Sequence, residues 1–450
     1  MPKPDHSRPW TAPTATSRLD ARVQLPGSKS LTNRALLLAA LADGGSTLHR
    51  PLRSRDSRIM VEGLRALGAT IRETPGDGRF GPDLAVTPGP IRGGSSIDCG
   101  LAGTAMRFLP IVAALGDGPV SFDGDPHARE RPMAETIASL GALGVRVDAD
   151  EPRLPFTVHG ARGPGGPGSV RGGELEIDAS ASSQFVSALL LVGARFDEGL
   201  TLHHRGERLP SLPHIEMTLE ALRQRGVDAR RVGDASWRVE PGPIAALDER
   251  IEPDLSNAAP FLAAAVAIGG RVVLDGWPAE TTQVGALLPQ LLEPFGATSR
   301  LSDGSLTVEA VGGAIPGASV DMHAAGELAP TIVALGALAS GPVEITGIGH
   351  IRGHETDRIR ALVDDIAALG GRAEALPDGI RVEPAPLAGG PWRAFDDHRI
   401  ATAGAVIGLR VPGVEVDDIG ATAKTIPEFP ELWSAMLAGT DRSGSVGRGA

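Results

Sequence analysis

Lys29 and Lys424 are two of only three lysines among the 43 basic residues of this chain; the third, Lys3, lies in a polar tail. GC-rich coding explains the arginine bias together with the abundance of Ala, Gly and Pro. Under that drift a surviving lysine marks a place where a compact point charge is useful. Lys29 stands in the run Gly27, Ser28, Lys29, Ser30, with Arg34 one helical turn on. Glycine lets a ligand approach the backbone, lysine supplies a point charge, and arginine can grip two oxygens at once. Together they suit phosphate or carboxylate. The phosphate-loop pattern needs Gly directly before Lys, and Ser28 stands there instead. A plainly capped helix is the alternative for this segment taken alone.

Other polar segments carry the same chemistry. Gly100, Gly103 and Thr104 form a second permissive helix start, and DPHARERP places Arg129 and Arg131 on a loop. Ser180, Ser182, Ser183 and Gln184 offer neutral donors suited to hydroxyls and phosphate oxygens. Capping explains one of those serines better than three. Glu327 sits where a helix should begin, a place where carboxylates commonly serve as caps. HIRGHETDRIR gathers Arg352, His354, Glu355 and Arg358. In a helix His354 and Arg358 would share a face. His350 and His354 have the spacing of metal ligands, but the arginines beside them repel a cation, so no metal is expected. FDDHRI contributes Asp396, Asp397, His398 and Arg399, and ATAKTIPEFP carries Lys424.

These segments recur at a fixed place in a repeat. Each opens a unit in which an apolar helical run is followed by a Gly turn, a short strand pattern, a second helix and a strand-like ending. The openings lie at Pro26, Asp98, Asp178, Pro253, Met322 and Phe395, roughly 70 to 80 residues apart. The second helices end alike, as in LRALGATI from Leu64, LGALGVRV from Leu140 and IAALGGRA from Ile366. A Gly after helix formers is a stop signal, and the β-branched residues that follow begin a strand. The first helices, such as Ala35 to Leu41 and Phe261 to Ile268, are apolar almost all round, which predicts buried helices with sheets outside them. The polar openings then fall at helix N-termini. Unpaired N–H groups and about half a positive charge make those ends natural anion sites.

The 450-residue length exceeds one ordinary core, and a break near Pro253 leaves three repeats on each side. A net charge of -12 opposes a general nucleic-acid or anionic-membrane binder. Cys99 is the only cysteine, which excludes an intramolecular disulfide or a cysteine metal cluster. The opening MPKPDHSRPW lacks the apolar run of a signal peptide, and no apolar stretch approaches the ~20 residues of a membrane span. The expectation is a cytoplasmic protein.

At this point the motifs match a family. The chain resembles the 5-enolpyruvylshikimate-3-phosphate synthases from about Leu19 to Leu437. The strings LPGSKSLTNRALLLAAL, AGTAMRFLP, ERP, SSQF, PSLPHIEMTL, HETDRI, DDHRIA and AKTIPEFPE occur in the family's order. The resemblance implies an α/β, two-domain enolpyruvate transferase fold. Each domain would hold three βαβαββ units, with buried helices and outer sheets, and the two would close over the substrates. Residues 27–252 are expected as the first domain and 253–438 as the second, joined by 16–26. Segments 1–15 and 439–450 are expected as loosely ordered tails.

The resemblance also implies site roles. Lys29, Ser30, Arg34, Ser182, Ser183, Ser211, Glu327, His350 and His354 look like contacts to shikimate 3-phosphate. Lys29, Gly103, Arg131, Gln184, Arg358, Arg399 and Lys424 look like the phosphoenolpyruvate site. Lys29, Glu327 and Glu355 look like the proton-handling groups, with His398 in support. No cofactor is implied, glyphosate is expected as an inhibitor, and the expected state is a monomer with no nucleic-acid or membrane partner. The chain departs from the family's pattern in places. Leu101 stands where a small polar residue is common, and Phe108 where proline often follows Met-Arg. Glu327 replaces the commoner Asp, and His350 and His354 replace the commoner Asn and Lys. His354 would make one positive contact depend on pH. The sister enzyme that acts on a UDP-amino sugar typically carries a reactive cysteine on a loop that here, from Phe122 to Arg131, has none. A phosphoryl-transfer enzyme is opposed by the broken phosphate-loop spacing. A non-catalytic anion- or RNA-binding module is opposed by the net charge and by the retained Lys, Arg and Glu set.

Overall fold

The computed structural model describes residues 9–439 apart from 164, 207, 208 and 210. The chain divides into two compact units. One comprises residues 26–252, and the other comprises residues up to 25 together with those from 253 onward.

Within each unit the first helices of three repeats lie in the interior. In the 26–252 unit these are Lys29–Leu41, Gly103–Ala113 and Gln184–Gly193. Every residue from Ala35 to Leu41 is buried, and so is the whole of Gly103–Ala113. In the other unit they are Ala258–Ile268, Ala329–Ala337 and His398–Gly408, and they pack on one another. A helix with apolar residues all round has no face to offer water, so three of them share one core. The amphipathic second helices, such as Arg55–Ala66 and Leu212–Gln224, cover that core from outside.

Among the described residues five four-stranded sheets repeat one topology, a parallel pair extended by an antiparallel hairpin. In the second repeat Ser95–Asp98 pairs in parallel with Val120–Asp123, which pairs antiparallel with Phe156–Val158. The first and fourth repeats take their parallel strand from elsewhere in the chain. Glu249–Arg250 pairs with Ser46–His49, and Leu19–Val23 pairs with Gly270–Asp275. The segment 16–26 is therefore more than a joining piece, because Leu19, Ala21 and Val23 alternate inward as a buried strand. The N-terminal expectation also needs correction. Trp10–Thr11 forms a strand against Val414–Val416, with Ala12 buried beside it, so order begins before residue 15. Trp10 packs edge-on against Phe429, which gives this stretch an apolar anchor. The rest of the expected N-terminal tail, 1–8, and 440–450 of the C-terminal one lie outside the described residues. No helix among the described residues is long and apolar enough to cross a membrane.

Candidate active site

In the 26–252 unit, polar residues gather at the starts of the buried helices. Ser28 caps the first, accepting from the Leu31 amide at 3.5 Å, so Lys29 begins the helix. Lys29 Nζ lies 3.6 Å from Oδ2 of Asp56, a carboxylate with a side chain only 1% exposed. Ser30 follows Lys29, and its carbonyl accepts from Arg34 Nη1 at 3.0 Å. Arg34 itself is buried. Its guanidinium donates to Thr218 Oγ1, Ser187 Oγ and the His214 carbonyl, and it lies over the Phe108 ring at 5.7 Å. In this state Arg34 braces three helices against one another. The phenyl group of Phe108 packs beneath it.

The helix from Gly103 has no side-chain cap, which leaves its first N–H groups to other partners. Two guanidiniums crowd this end. A Cβ on Gly103 would stand 3.0 Å from Arg131 Nη2 and 3.1 Å from Arg107 Nη1, so a side chain there would push against both guanidinium ends. Arg131 donates to the Leu101 carbonyl at 3.2 Å, and its buried Nε has no partner among the described residues. Only the Leu101 backbone takes part. Arg107 Nη1 donates to Gln184 Oε1 at 2.8 Å, joining the second helix start to the third. Arg129, by contrast, is turned outward onto Asp123. Ser182 and buried Ser183 precede Gln184, and the Ser182 hydroxyl accepts from the Gln184 amide at 3.3 Å. Ser211 begins the helix Leu212–Gln224 with a left-handed φ of 56°, rare outside glycine. Cys99 is buried with a free thiol. Burial, then Asp98 and Asp123, push its thiol up to about 12.

In the other unit three cations meet three carboxylates. Arg358 opens the helix Arg358–Ala368 and is almost wholly buried. Its Nε donates to Asp397 Oδ2 at 2.7 Å, and its Nη2 to Asp397 Oδ1 at 3.2 Å and Glu355 Oε2 at 2.8 Å. Nη1 donates to His354 Nδ1 at 3.0 Å. Burial works against the Arg358 charge, but Asp397 and Glu355 outweigh it and hold the pKa above the usual arginine value. Glu355 turns its other oxygen to Lys424 Nζ at 2.5 Å. Asp397 caps the helix His398–Gly408, accepting from the Arg399 amide at 2.9 Å. Arg399 Nη2 reaches Glu327 Oε1 at 3.2 Å, and the same oxygen accepts from Ser256 Oγ. Glu327 lies in the one-turn segment Gly326–Leu328 that leads into the helix Ala329–Ala337. His398 is buried, with Nδ1 3.8 Å from Asp397.

The two histidines differ from expectation. His354 precedes the Arg358 helix rather than lying in it. Arginine can only donate, so His354 Nδ1 must present its lone pair, and a neutral ring then carries its proton on Nε2. Burial, then the Arg358 charge, hold His354 well below the usual histidine range. The positive contact expected at this position is thus a neutral one near pH 7. His350 stacks edge-on against His354 at 5.7 Å and is also shifted down, by burial and then by His323. Its buried Nε2 has no partner among the described residues. A Cβ on Gly326 would stand 2.5 Å from that nitrogen, so the ring lies against the backbone just before Glu327.

Sequence reasoning did not assign roles to Asp56, Arg107, Ser256 or Asp397. Asp397 was legible in DDHR as a cap, but its grip on Arg358, 39 residues away, was not. Asp56 stands in an ordinary amphipathic helix start and gave no signal.

The family model for EPSP synthase (3-phosphoshikimate 1-carboxyvinyltransferase) matches residues 13–433. The chain belongs to the EPSP synthase family. A 3-phosphoshikimate 1-carboxyvinyltransferase of Kocuria rhizophila is 53% identical over 435 residues, which cover 95% of this chain and 96% of the relative. Two solved structures of EPSP synthase from Acinetobacter baumannii share the fold, with TM-scores of 0.76 and 0.74 at 23% identity. Each comparison covers 95% of this chain and 97% of the other. Every cation of the Arg358, Arg399 and Lys424 set rests on a carboxylate.

Proposed function

We infer that the chain transfers the enolpyruvyl group of phosphoenolpyruvate to the 5-hydroxyl of shikimate 3-phosphate and releases phosphate, in aromatic amino acid biosynthesis. The observation that best supports the residue roles is the network of Arg358, Arg399 and Lys424 with Asp397, Glu327 and Glu355.

The reaction is addition followed by elimination. The 5-hydroxyl oxygen bonds to C2 of phosphoenolpyruvate, the hydroxyl proton leaves, and C3 gains a proton. The tetrahedral intermediate then breaks its C2–O bond to phosphate and loses a proton from C3, which restores the double bond. Atoms balance without a cofactor. Glu327 takes the hydroxyl proton. Its Oε1 is fixed by Ser256 and Arg399, and a carboxylate so held can receive a proton without first reorganising. Lys29 serves C3. Glu355 has one oxygen on Arg358 and the other on Lys424, which favours a role in holding those cations over a role as a base. Arg131, Arg358, Arg399 and Lys424 hold phosphoenolpyruvate and stabilise charge as it moves to the leaving phosphate. Among the described residues four of the five N–H donors of Arg358 are engaged, which leaves one on Nη1 for a substrate oxygen. Ser182, Ser183, Ser211 and Ser30 serve the hydroxyls and phosphate of shikimate 3-phosphate, with neutral His350 and His354 as hydrogen-bond groups. Arg34 supports this set, and Gln184, held to Arg107 at the Gly103 helix start, belongs with the phosphoenolpyruvate groups.

The test is phosphate release by purified protein, with each substrate omitted in turn and no metal or ATP added. Release only with both substrates is expected. No release from folded protein would overturn the assignment and direct attention to a sugar-nucleotide acceptor. A cytoplasmic monomer and inhibition by glyphosate are part of the same reading. An inhibition constant far above the Michaelis constant for phosphoenolpyruvate would remove the glyphosate part alone.

A further inference from the structure

Asp365 is a buried carboxyl group that no step above uses. It lies seven residues after Arg358 on the same helix, so the two share that helix's inner face. Its side chain is 0% exposed. Oδ1 accepts from Arg393 Nε at 3.2 Å, and Oδ2 has no partner among the described residues. Arg393 is half-exposed and lies over the Phe395 ring at 4.8 Å. From Arg393 the chain passes through two consecutive left-handed residues, Phe395 with φ 53° and Asp396 with φ 54°. Neither is glycine, and such a conformation persists only where its surroundings over-determine it. The next residue is Asp397, which grips Arg358, and two further on is Arg399, which grips Glu327.

Few groups hold this turn. Trp392 Nε1 donates to the Ile400 carbonyl at 2.8 Å, the Ala394 amide to Asp417 Oδ1 at 2.7 Å, and the Asp397 amide to the Ala394 carbonyl at 2.9 Å. Beside Asp397 itself, Arg393 adds a second side-chain tie between this turn and the Arg358 helix.

We propose that Asp365 is a positioning residue for the transfer reaction: through Arg393 it clamps the strained turn 393–397 to the Arg358 helix, so that Asp397 and Arg399 are delivered to the site in register.

The clamp is also sensitive to pH. Burial, opposed by Arg393 and reinforced by Asp417, pushes the Asp365 carboxyl up to about 7. The charged groups that face it are Arg393, from the end of the strand Gly390–Trp392, and Asp417, from just past the strand Val414–Val416. Asp364 on its own helix is turned to Arg360, and Arg358 is committed to Asp397, Glu355 and His354. Above pH 7 the ionised carboxylate makes a charge-assisted bond to Arg393, and below it the neutral acid makes a weaker one. The effect on global stability has the opposite sign. The folded state holds this proton to higher pH than the unfolded chain, so stability from this group falls as pH rises from about 4 to 7.

The inference rests on the roles given to Asp397 and Arg399, and its test has one arm that needs no activity. Hydrogen exchange of the amides between Trp392 and Arg399, corrected for intrinsic rate, would be compared at pH 6 and pH 8. In the wild type, protection should be roughly three- to tenfold higher at pH 8. In Asp365→Asn and in Arg393→Gln it should stay low at both. The second arm is kcat/KM for phosphoenolpyruvate over the same range, taken as the ratio of variant to wild type, which cancels titration of the substrates. That ratio should fall roughly three- to tenfold between pH 6 and 8. Should Asp365→Asn fail to fold, Arg393→Gln removes the charge-assisted side-chain arm of the clamp from its half-exposed side and leaves the Arg393 backbone contact to Asp365. Equal protection at both pH values in the wild type, or wild-type protection in Arg393→Gln, would overturn the proposal. Loss of phosphate release with the exchange pattern intact would instead overturn the assigned reaction.

Discussion

Replacing Asp397 should damage stability and phosphoenolpyruvate binding together, and the structure sets the sizes. Asp397 is 0% exposed and accepts three hydrogen bonds, two from Arg358 and one from the Arg399 amide. In Asp397→Ala the Arg358 guanidinium stays buried and, among the described residues, keeps an ion pair with Glu355 alone. Breaking a buried pair from one side costs about 3–5 kcal/mol, and the lost helix cap about 1 kcal/mol more if the two add. For a unit of this size each kcal/mol lowers the melting temperature by about 2–4 °C, so with both losses a fall of roughly 8–24 °C is expected. Asp397→Asn keeps the volume and an acceptor for the Arg399 amide but offers Arg358 a neutral partner. Its loss should be smaller, about 1.5–3 kcal/mol. Calorimetry should therefore rank wild type above Asn above Ala. The Michaelis constant for phosphoenolpyruvate should rise in the same order, because Arg358 loses the fork that fixes its plane. If both variants melted within about 1 °C of wild type and bound phosphoenolpyruvate normally, the claim that Asp397 orients Arg358 would fail.

Glu327→Gln should lower turnover by about 10²–10⁴-fold with little change in melting temperature. Near-normal phosphate release from that variant would remove Glu327 as the proton acceptor. Gly103→Ala should raise the Michaelis constant for phosphoenolpyruvate roughly tenfold, because the new methyl displaces the Arg131 guanidinium from the helix start; an unchanged constant would show that Arg131 does not act from that position. His354 and His350 are both held below the ordinary histidine value of 6.5, so the folded state binds fewer protons than the unfolded chain just below that pH. Their contribution to stability is present above pH 6.5 and is lost on acidification. His354→Gln keeps an acceptor for Arg358 and should melt with a smaller drop between pH 7 and pH 5 than wild type, whereas an equal drop would contradict a neutral His354.

Much of the architecture was written in local pattern. The apolar runs after each polar opening, and the Gly stops of the second helices, follow from burial and backbone sterics, which act within a few residues. They predicted buried helices, outer sheets and a division near Pro253, and the strands and helices fall in that order. The strands Leu19–Val23 and Trp10–Thr11 were less legible, because a strand's partner is chosen by spatial proximity. Leu19–Val23 pairs with residues about 250 positions away.

The site divides along the same line. Sequence alone placed Lys29, Gly103, Glu327, Glu355, Arg358, Arg399 and Lys424 in motifs: residue type and spacing marked candidate anion sites, and the proton-handling roles came only with the family resemblance. Only the tertiary structure decided how those charges are used. It spends Arg34 on bracing helices, leaves Arg358 one N–H to offer, and sets Glu355 between two cations. It also makes His354 neutral and brings Asp56 to Lys29 and Asp365 to Arg393. The physical reason is that a side chain's charge state and free donors depend on burial and on partners far along the chain, and no local pattern encodes either.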